Sequence, residues 1–394
     1  MRVLIISFSR IHNDPRVLRQ IALLEAIQGT HLFLSGLLYQ GNHEFIPLMK
    51  RKRTLLERIQ LVFLNLFQFN SLKERKFLQI VNLKKLEKLI LKNDINLIIA
   101  NDLETWPVAF ALKTLNSQIK IILDAHEYYP RHFENKFLWK LMHSAYYNYI
   151  CYKYISKADK LITVSAGIKR EYDDKFAVES AIVLNSPEYD ESLNPNLIED
   201  GTVKLIHHGI ANSSRKLEKM IWMMDYLEPR FHLNLMLMPT DESYFNKLKK
   251  MAKGKRVTFL DPVPTTEISA FINQFDMGIF LLEPVNFNYA NALPNKFFEF
   301  IQARLAIVIG PSPEMSEIVL KENNGAVAST YDEKQVSETL NALMMEEIQD
   351  MKVQSHKISW KYSNQLNVQI MSDIFRELNL EVFHKEIEVK PRNS

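Results

Sequence analysis

Short runs rich in isoleucine, valine and leucine alternate along the chain with longer stretches whose apolar positions recur every three or four residues. Runs of the first kind predict buried strands and those of the second amphipathic helices. Their alternation predicts parallel sheets with helical crossovers. In the first half the strand candidates are RVLIIS (2–7), HLFLSGLL (31–38), NLIIAN (96–101), IKIILDA (119–125), KLITVS (160–165) and AIVLN (181–185). The polar, acidic stretch NSPEYDESLNPNLIEDG (185–201) carries neither period and reads as a connection between domains. The series then restarts with VKLIHHG (203–209), FHLNLMLM (231–238), VTFLD (257–261), MGIFLL (277–282) and LAIVIG (305–310). The expected organisation is an α/β first domain over 1–187, a linker over 188–201 and a second α/β domain over 202–360. Residues 361–394 are expected to pack back on the first domain and to end in a loose tail, VKPRNS. Open sheets of this kind bind ligands outside the carboxyl ends of their strands, so a cleft between the two domains is the expected site.

Composition changes this picture little. The 394 residues exceed one ordinary core, and 47% hydrophobic with 24% charged residues is the balance of a soluble globular protein. One cysteine, Cys151, cannot form an internal disulfide, which points to a reducing compartment. The opening MRVLIISFSR lacks a small-residue cleavage site and reads as a strand, and no run approaches the ~20 apolar residues that span a bilayer. The expected location is cytoplasmic.

Charge adds one feature. The net value is only +3, yet residues 46–92 hold 12 Lys/Arg against 3 Asp/Glu. Within them KRKRTLLERIQLVFLNLFQF (50–69) sets four cations before a helical run of Leu55, Leu56, Ile59, Val62, Phe63, Leu66 and Phe67. A basic head on an apolar helix suggests docking on an anionic membrane surface, at the inner face of the cytoplasmic membrane. The competing reading is a core helix with a solvated lead-in. Nucleic acid is not expected as a partner, because the basic residues interleave with Leu and Phe and no reader motif is present.

Four motifs carry candidate chemistry. After the first strand, NDPRVLRQIALLE (13–25) offers Asn13, Asp14 and Arg16; Asp14 suits the N-cap and Pro15 the first helical position. Plain capping is the simpler reading there. No Gly-x-Gly-x-x-Gly is present, which argues against a dinucleotide cofactor. At the end of a central strand, DAHEYYPRHFE (124–134) gathers His126, Glu127 and Tyr128 in a loop where such sheets keep ligands. No second His or Cys stands at a metal-ligand spacing, so no metal is required. In HHGIANSSRKLEKMI (207–221), Gly209 permits close backbone approach. Arg215 and Lys216 can neutralise a diphosphate, at the cost of two cations near a helix start. Finally, NALPNKFFEFIQARLAIVI (291–309) opens a helix at Pro294 and Asn295 and places Glu299 about one turn in, between phenylalanines. A carboxylate there can accept two hydrogen bonds from vicinal hydroxyls such as those of a ribose.

Taken in order, strand–NDPRV, D-x-HE, HHG…RKLEKMI and LPNKFFEFIQARLAIVI resemble a family-4 glycosyltransferase over nearly the whole chain. The resemblance implies the GT-B architecture of two Rossmann-like domains, and a nucleotide-sugar donor (UDP- or GDP-linked) as co-substrate. It implies transfer with retention to a glycan or lipid-linked acceptor of surface polysaccharide synthesis. On the donor side it implies Glu299 at the ribose, Arg215 with Lys216 at the diphosphate and the PVP segment around Val263 at the base. Gly209, Asn291, Pro294, Asn295 and Lys296 complete that set. His126 would contact the transferred sugar; Asn13, Asp14, Arg16, Glu127 and Tyr128 would face the acceptor. Two departures stand out: Asn291 occupies the place of the family's first glutamate, and SRIHND replaces a glycine-rich first loop. A nucleotide-sugar epimerase of the same fold, and a subunit that binds nucleotide sugar without catalysis, are the alternatives.

Overall fold

The computed structural model describes residues 1–51 and 54–380 and the backbone of 383–384. Lys52, Arg53 and the VKPRNS tail lie outside the described residues. The chain divides into two compact units, one of residues 1–183 together with the segment from Val368 on, the other of Leu184–Asn367.

The first unit is built on a seven-stranded parallel sheet. Its strands are β1 (Arg2–Ile6), β2 (His31–Gly36), β3 (Glu44–Pro47), β4 (Leu97–Asn101), β5 (Lys120–Asp124), β6 (Lys160–Thr163) and β7 (Ala181–Ile182). Their order is β3-β2-β1-β4-β5-β6-β7. The chain winds outward from β1 in one direction, then returns and winds outward in the other, so β1 and β4 flank the switch point where such sheets bind ligands. The central strands are buried on both faces, which is why they read as unbroken apolar runs. β3 escaped the periodicity because it has four residues, ends in proline and sits at the sheet edge, where a missing N–H costs nothing.

Two helices of this unit matter below. Helix α1 (Pro15–Glu25) starts as expected, with the Asp14 carboxylate accepting from the N–H groups of Arg16 at 3.1 Å and Val17 at 3.3 Å. Helix α2 (Leu55–Leu66) begins with a capping box between Thr54 and Glu57. Residues Met371, Ile374, Phe375, Leu378 and Leu380 pack into the same core as Val3, Ile5 and Leu24.

The second unit repeats the topology. Strands β8 (Val203–Ile210), β9 (Phe231–Met238), β10 (Val257–Leu260), β11 (Met277–Phe280), β12 (Ala306–Ile309) and β13 (Gly325–Val327) form a parallel sheet in the order β10-β9-β8-β11-β12-β13. Here β8 and β11 flank the switch point. Short β13, with a glycine among three residues, gave no readable run. Helix α3 (Asn295–Gln302) lies before β12 and contributes Phe297, Phe298, Phe300 and Ile301 to the core.

Candidate functional site

In the second unit the carboxyl end of β8 and the start of α3 bring the donor-side candidates together. His207 and His208 end the buried part of β8, and both rings are enclosed. His207 Nδ1 lies 2.9 Å from the carbonyl of Ile279 on the neighbouring β11. Burial, with the nearby Lys296 cation, drives the His207 pKa far below the ordinary value and that of His208 down to about 3, so both rings are neutral at physiological pH.

Lys296 is the hub of this cluster. Its ammonium donates to the His208 carbonyl at 2.6 Å, lies 3.3 Å from His207 Nε2 and sits 4.6 Å above the Phe280 ring. Burial and the Arg215 charge lower its pKa to about 7, against the opposing pull of Glu299. Gly209 has φ +129, and a β-carbon there would meet the Lys296 ammonium at 3.1 Å. The backbone angle calls for glycine, and the lysine tip would have to give by a few tenths of an ångström to admit a side chain.

Glu299 is 6% exposed, so it is not a solvent-facing acid on a capped core helix. Its carboxylate is 3.4 Å from His208 Nε2, without the alignment of a hydrogen bond. Burying a carboxylate beside a neutral ring is costly unless other donors reach it. Arg215 lies 4.9 Å from the Tyr289 ring and is half-buried. It belongs to a 3-10 turn, Ser213–Arg215, and Lys216 follows with φ +48. The helical turn Glu218–Trp222 begins after both, with Lys216 directly before its N-cap Leu217. Lys216 is exposed and its ammonium is held by Glu283, which also takes Lys219 at 2.7 Å. Burial would raise the Glu283 pKa, but these two cations more than offset it and hold the acid low. Asn291 caps a short helical turn and donates to the Phe287 carbonyl at 2.8 Å. Pro294 is the N-cap of α3, Asn295 its first residue, and Val263 packs against the core below.

In the first unit, Asp102 stands immediately after β4 with φ +67 and ψ 143, a conformation that non-glycine residues rarely adopt. Its carboxylate accepts from the Phe8 N–H and the Ser7 hydroxyl, both at 3.2 Å, and lies 3.5 Å from His126 Nε2. Burial raises the Asp102 pKa despite the nearby histidine. His126 Nδ1 is buried and makes no hydrogen bond among the described residues. Asp102 was not singled out in the sequence. Its one signal is that it follows a strand of four apolar residues and an asparagine.

The other first-unit candidates separate. Arg16 is buried and grips the fully buried Asp124 through two bonds of 2.6 and 2.7 Å, with a third to the Val183 carbonyl at 3.2 Å. Gln20 and Asn101 complete that network, Gln20 donating to Asp124 at 2.6 Å and Asn101 to Gln20 at 2.9 Å. Tyr128 is buried against Tyr172, edge to face at 4.8 Å between ring centroids. The Glu127 carboxylate meets His132 Nδ1 at 2.5 Å. Asp14 caps α1, and Asn13 is exposed at the end of a 3-10 turn. His126 thus keeps a strand-end position beside Asp102, whereas Arg16 and Tyr128 hold the core. Among the described residues no three His, Cys, Asp or Glu side chains are grouped to hold a metal ion.

The same architecture recurs in solved structures. The sucrose-phosphate synthase of Thermosynechococcus elongatus superposes with a TM-score of 0.71 at 13% identity, covering 96% of this chain and 99% of that one. Anabaena HepE in complex with UDP-glucose gives 0.69 at 11% identity, with 96% and 100% coverage. The α,α-trehalose 6-phosphate synthase of Burkholderia multivorans gives 0.64 at 12%, with 96% and 98%. No curated protein sequence matches the chain at a significant level. Two Rossmann-ordered sheets of this kind are the GT-B fold, which the chain shares with these structures. More narrowly, residues 48–185 match the model of Glycosyltransferase Family 4.

Proposed function

We propose that the protein transfers a sugar from a UDP- or GDP-linked donor to a glycan or lipid-linked acceptor of surface polysaccharide synthesis, with retention at the anomeric carbon. The observation that carries the donor reading is the cluster at the end of β8. A glycine-lined backbone, two cations at Arg215 and Lys296, and a buried acid at Glu299 occur within one unit. In this reading Arg215 and Lys296 offset the charge that builds on the departing diphosphate. Glu299 accepts hydrogen bonds from the vicinal hydroxyls of the nucleotide ribose. The amide of Val263 reads the base. Lys216, already engaged by Glu283, plays a lesser part.

To His126, beside Asp102, we assign contact with the transferred sugar, and to Asn13, Asp14 and Glu127 contact with the acceptor. Asn291, an amide where the family has an acid, cannot act as a covalent nucleophile, in keeping with same-face attack by the acceptor. Nucleotide complexes of HepE, which carries the same fold, support a UDP-linked donor. The apolar face of α2 supports an acceptor presented at the inner face of the cytoplasmic membrane, with the protein bound peripherally. No helix among the described residues is long and apolar enough to cross a membrane.

A thermal-shift screen of nucleotide sugars, followed by product analysis with the best binder, tests the proposal. A ligand at a hundredfold its Kd stabilises by about 2.7 kcal/mol, well within detection. A UDP- or GDP-sugar should raise the melting temperature, and Arg215→Ala should abolish the shift. A shift that survives Arg215→Ala would refute the phosphate assignment. Consumption of donor without any acceptor would favour the epimerase.

A further inference from the structure

The longest exposed apolar surface of the first unit has two parts, and only one of them shows in the sequence. Helix α2 buries little beyond Leu64 and Asn65; Leu55, Leu56, Ile59, Val62, Phe63 and Leu66 are all exposed, Leu55 to 74%. Beside it packs a second element, a helical turn at Phe137–Trp139 that runs on as a π-helical turn over Lys140–Ser144. Trp139 points inward, edge to face with Tyr147 at 5.3 Å between ring centroids, and anchors the turn. Phe137, Leu138 and Leu141 point outward, the first two exposed to 78% and 72%. Helical spacing of i, i+1 and i+4 sets these three side chains on one face.

Large apolar side chains gathered in this way mark a surface that is covered in use. The charges around it say by what. Lys50, Arg58, Lys136 and Lys140 are exposed cations bordering the two elements. The acids nearby are each paired with a cation: Glu57 with Arg51 and Glu134 with Arg131 at the surface, both at 2.6 Å, and the buried Glu74 with Lys153 at 2.6 Å. An exposed apolar surface with a cationic border complements an anionic bilayer, whose headgroups attract the border while its acyl chains take the side chains.

We propose that the Phe137–Leu141 turn inserts into an anionic bilayer alongside α2, so that two apolar prongs seat the first unit on the membrane. This deepens the membrane reading given above and rests on it, but the turn can be tested apart from α2. Phe137→Trp and Phe63→Trp each add one reporter, one per prong, whose signal is read as the difference from the wild type with its four native tryptophans. With vesicles of phosphatidylcholine and 30% phosphatidylglycerol, both reporters should shift to the blue, and brominated acyl chains should quench both. Vesicles of phosphatidylcholine alone should give a much weaker response. In flotation assays the triple variant Phe137→Ser, Leu138→Ser, Leu141→Ser should bind at least tenfold more weakly, with its thermal melt unchanged because the three side chains are exposed.

If the reporter at 63 shifts and that at 137 does not, the two-prong proposal is overturned while the α2 reading survives. If neither shifts, both fall. A triple variant that turns a stable lipid-free dimer into a monomer, with neither reporter responding to vesicles, would show a protein interface and overturn the proposal as well.

Discussion

Lys296 gives the sharpest test of the donor cluster, because its charge depends on what fills the site. With its pKa lowered to about 7 by burial and Arg215, the free protein at pH 8 holds only about a tenth of a proton on this side chain. A diphosphate placed against it would restore the charge, so binding at pH 8 should take up about 0.9 proton. Affinity should fall by up to tenfold, about 1.4 kcal/mol, for each pH unit above 7 until the pKa of the bound lysine is reached. The assay is calorimetric titration with UDP at pH 8 in buffers of different ionisation enthalpy; the slope of apparent enthalpy against buffer enthalpy counts protons. UDP is fully ionised there, so the uptake belongs to the protein. Lys296→Met should bring the slope close to zero and flatten the pH dependence. A wild-type slope near zero, or one unchanged in Lys296→Met, refutes the placement of the diphosphate beside Lys296. Without ligand the sign is also fixed. The unfolded chain carries the extra proton between about 7 and the ordinary value of 10.5, so stability should climb with pH across that window.

Three further expectations follow from the geometry. Gly209→Ala places a β-carbon 3.1 Å from the Lys296 ammonium at φ +129; it should cost about 1–3 kcal/mol in denaturant melts and weaken UDP binding at least tenfold. Asp102→Asn removes a carboxylate whose pKa burial has raised. A raised acid loses stability as pH climbs through the shifted range, so this variant should melt higher than wild type at pH 7, with the gain shrinking toward pH 4. Arg16→Ala leaves Asp124 buried without its guanidinium and should cost about 3–5 kcal/mol of stability; a loss below about 1 kcal/mol would show that Arg16 is not structural.

Most of the strands were legible because buried parallel strands are almost wholly apolar, whereas β3 and β13 are too short to carry a period. Glu299 was signalled by its place between two phenylalanines on an apolar helix, but neighbours in sequence stand about 100° apart around a helix, so its inward direction came from the fold. Arg16 was opaque in the other direction. A helix-start arginine looks available for a ligand, and its partner Asp124 lies 108 residues away, across the sheet order. Tyr128 shared that fate, since DAHEYY does not say which ring turns into the core. Asp102 was missed because its distinction is a backbone angle and a long-range contact with His126, neither of which has a local signature. The Phe137–Leu141 turn was passed over because Phe, Leu and Trp in one short run read as core; the fold turns only Trp139 inward.

The central claim is that the second unit grips a nucleotide diphosphate through Arg215, Lys296 and Glu299. The most direct measurement is a crystal structure of the protein with UDP. Ribose hydroxyls should lie within hydrogen-bond distance of the Glu299 carboxylate, and the diphosphate between Gly209, Arg215 and Lys296. Well-defined UDP bound away from those side chains would contradict it.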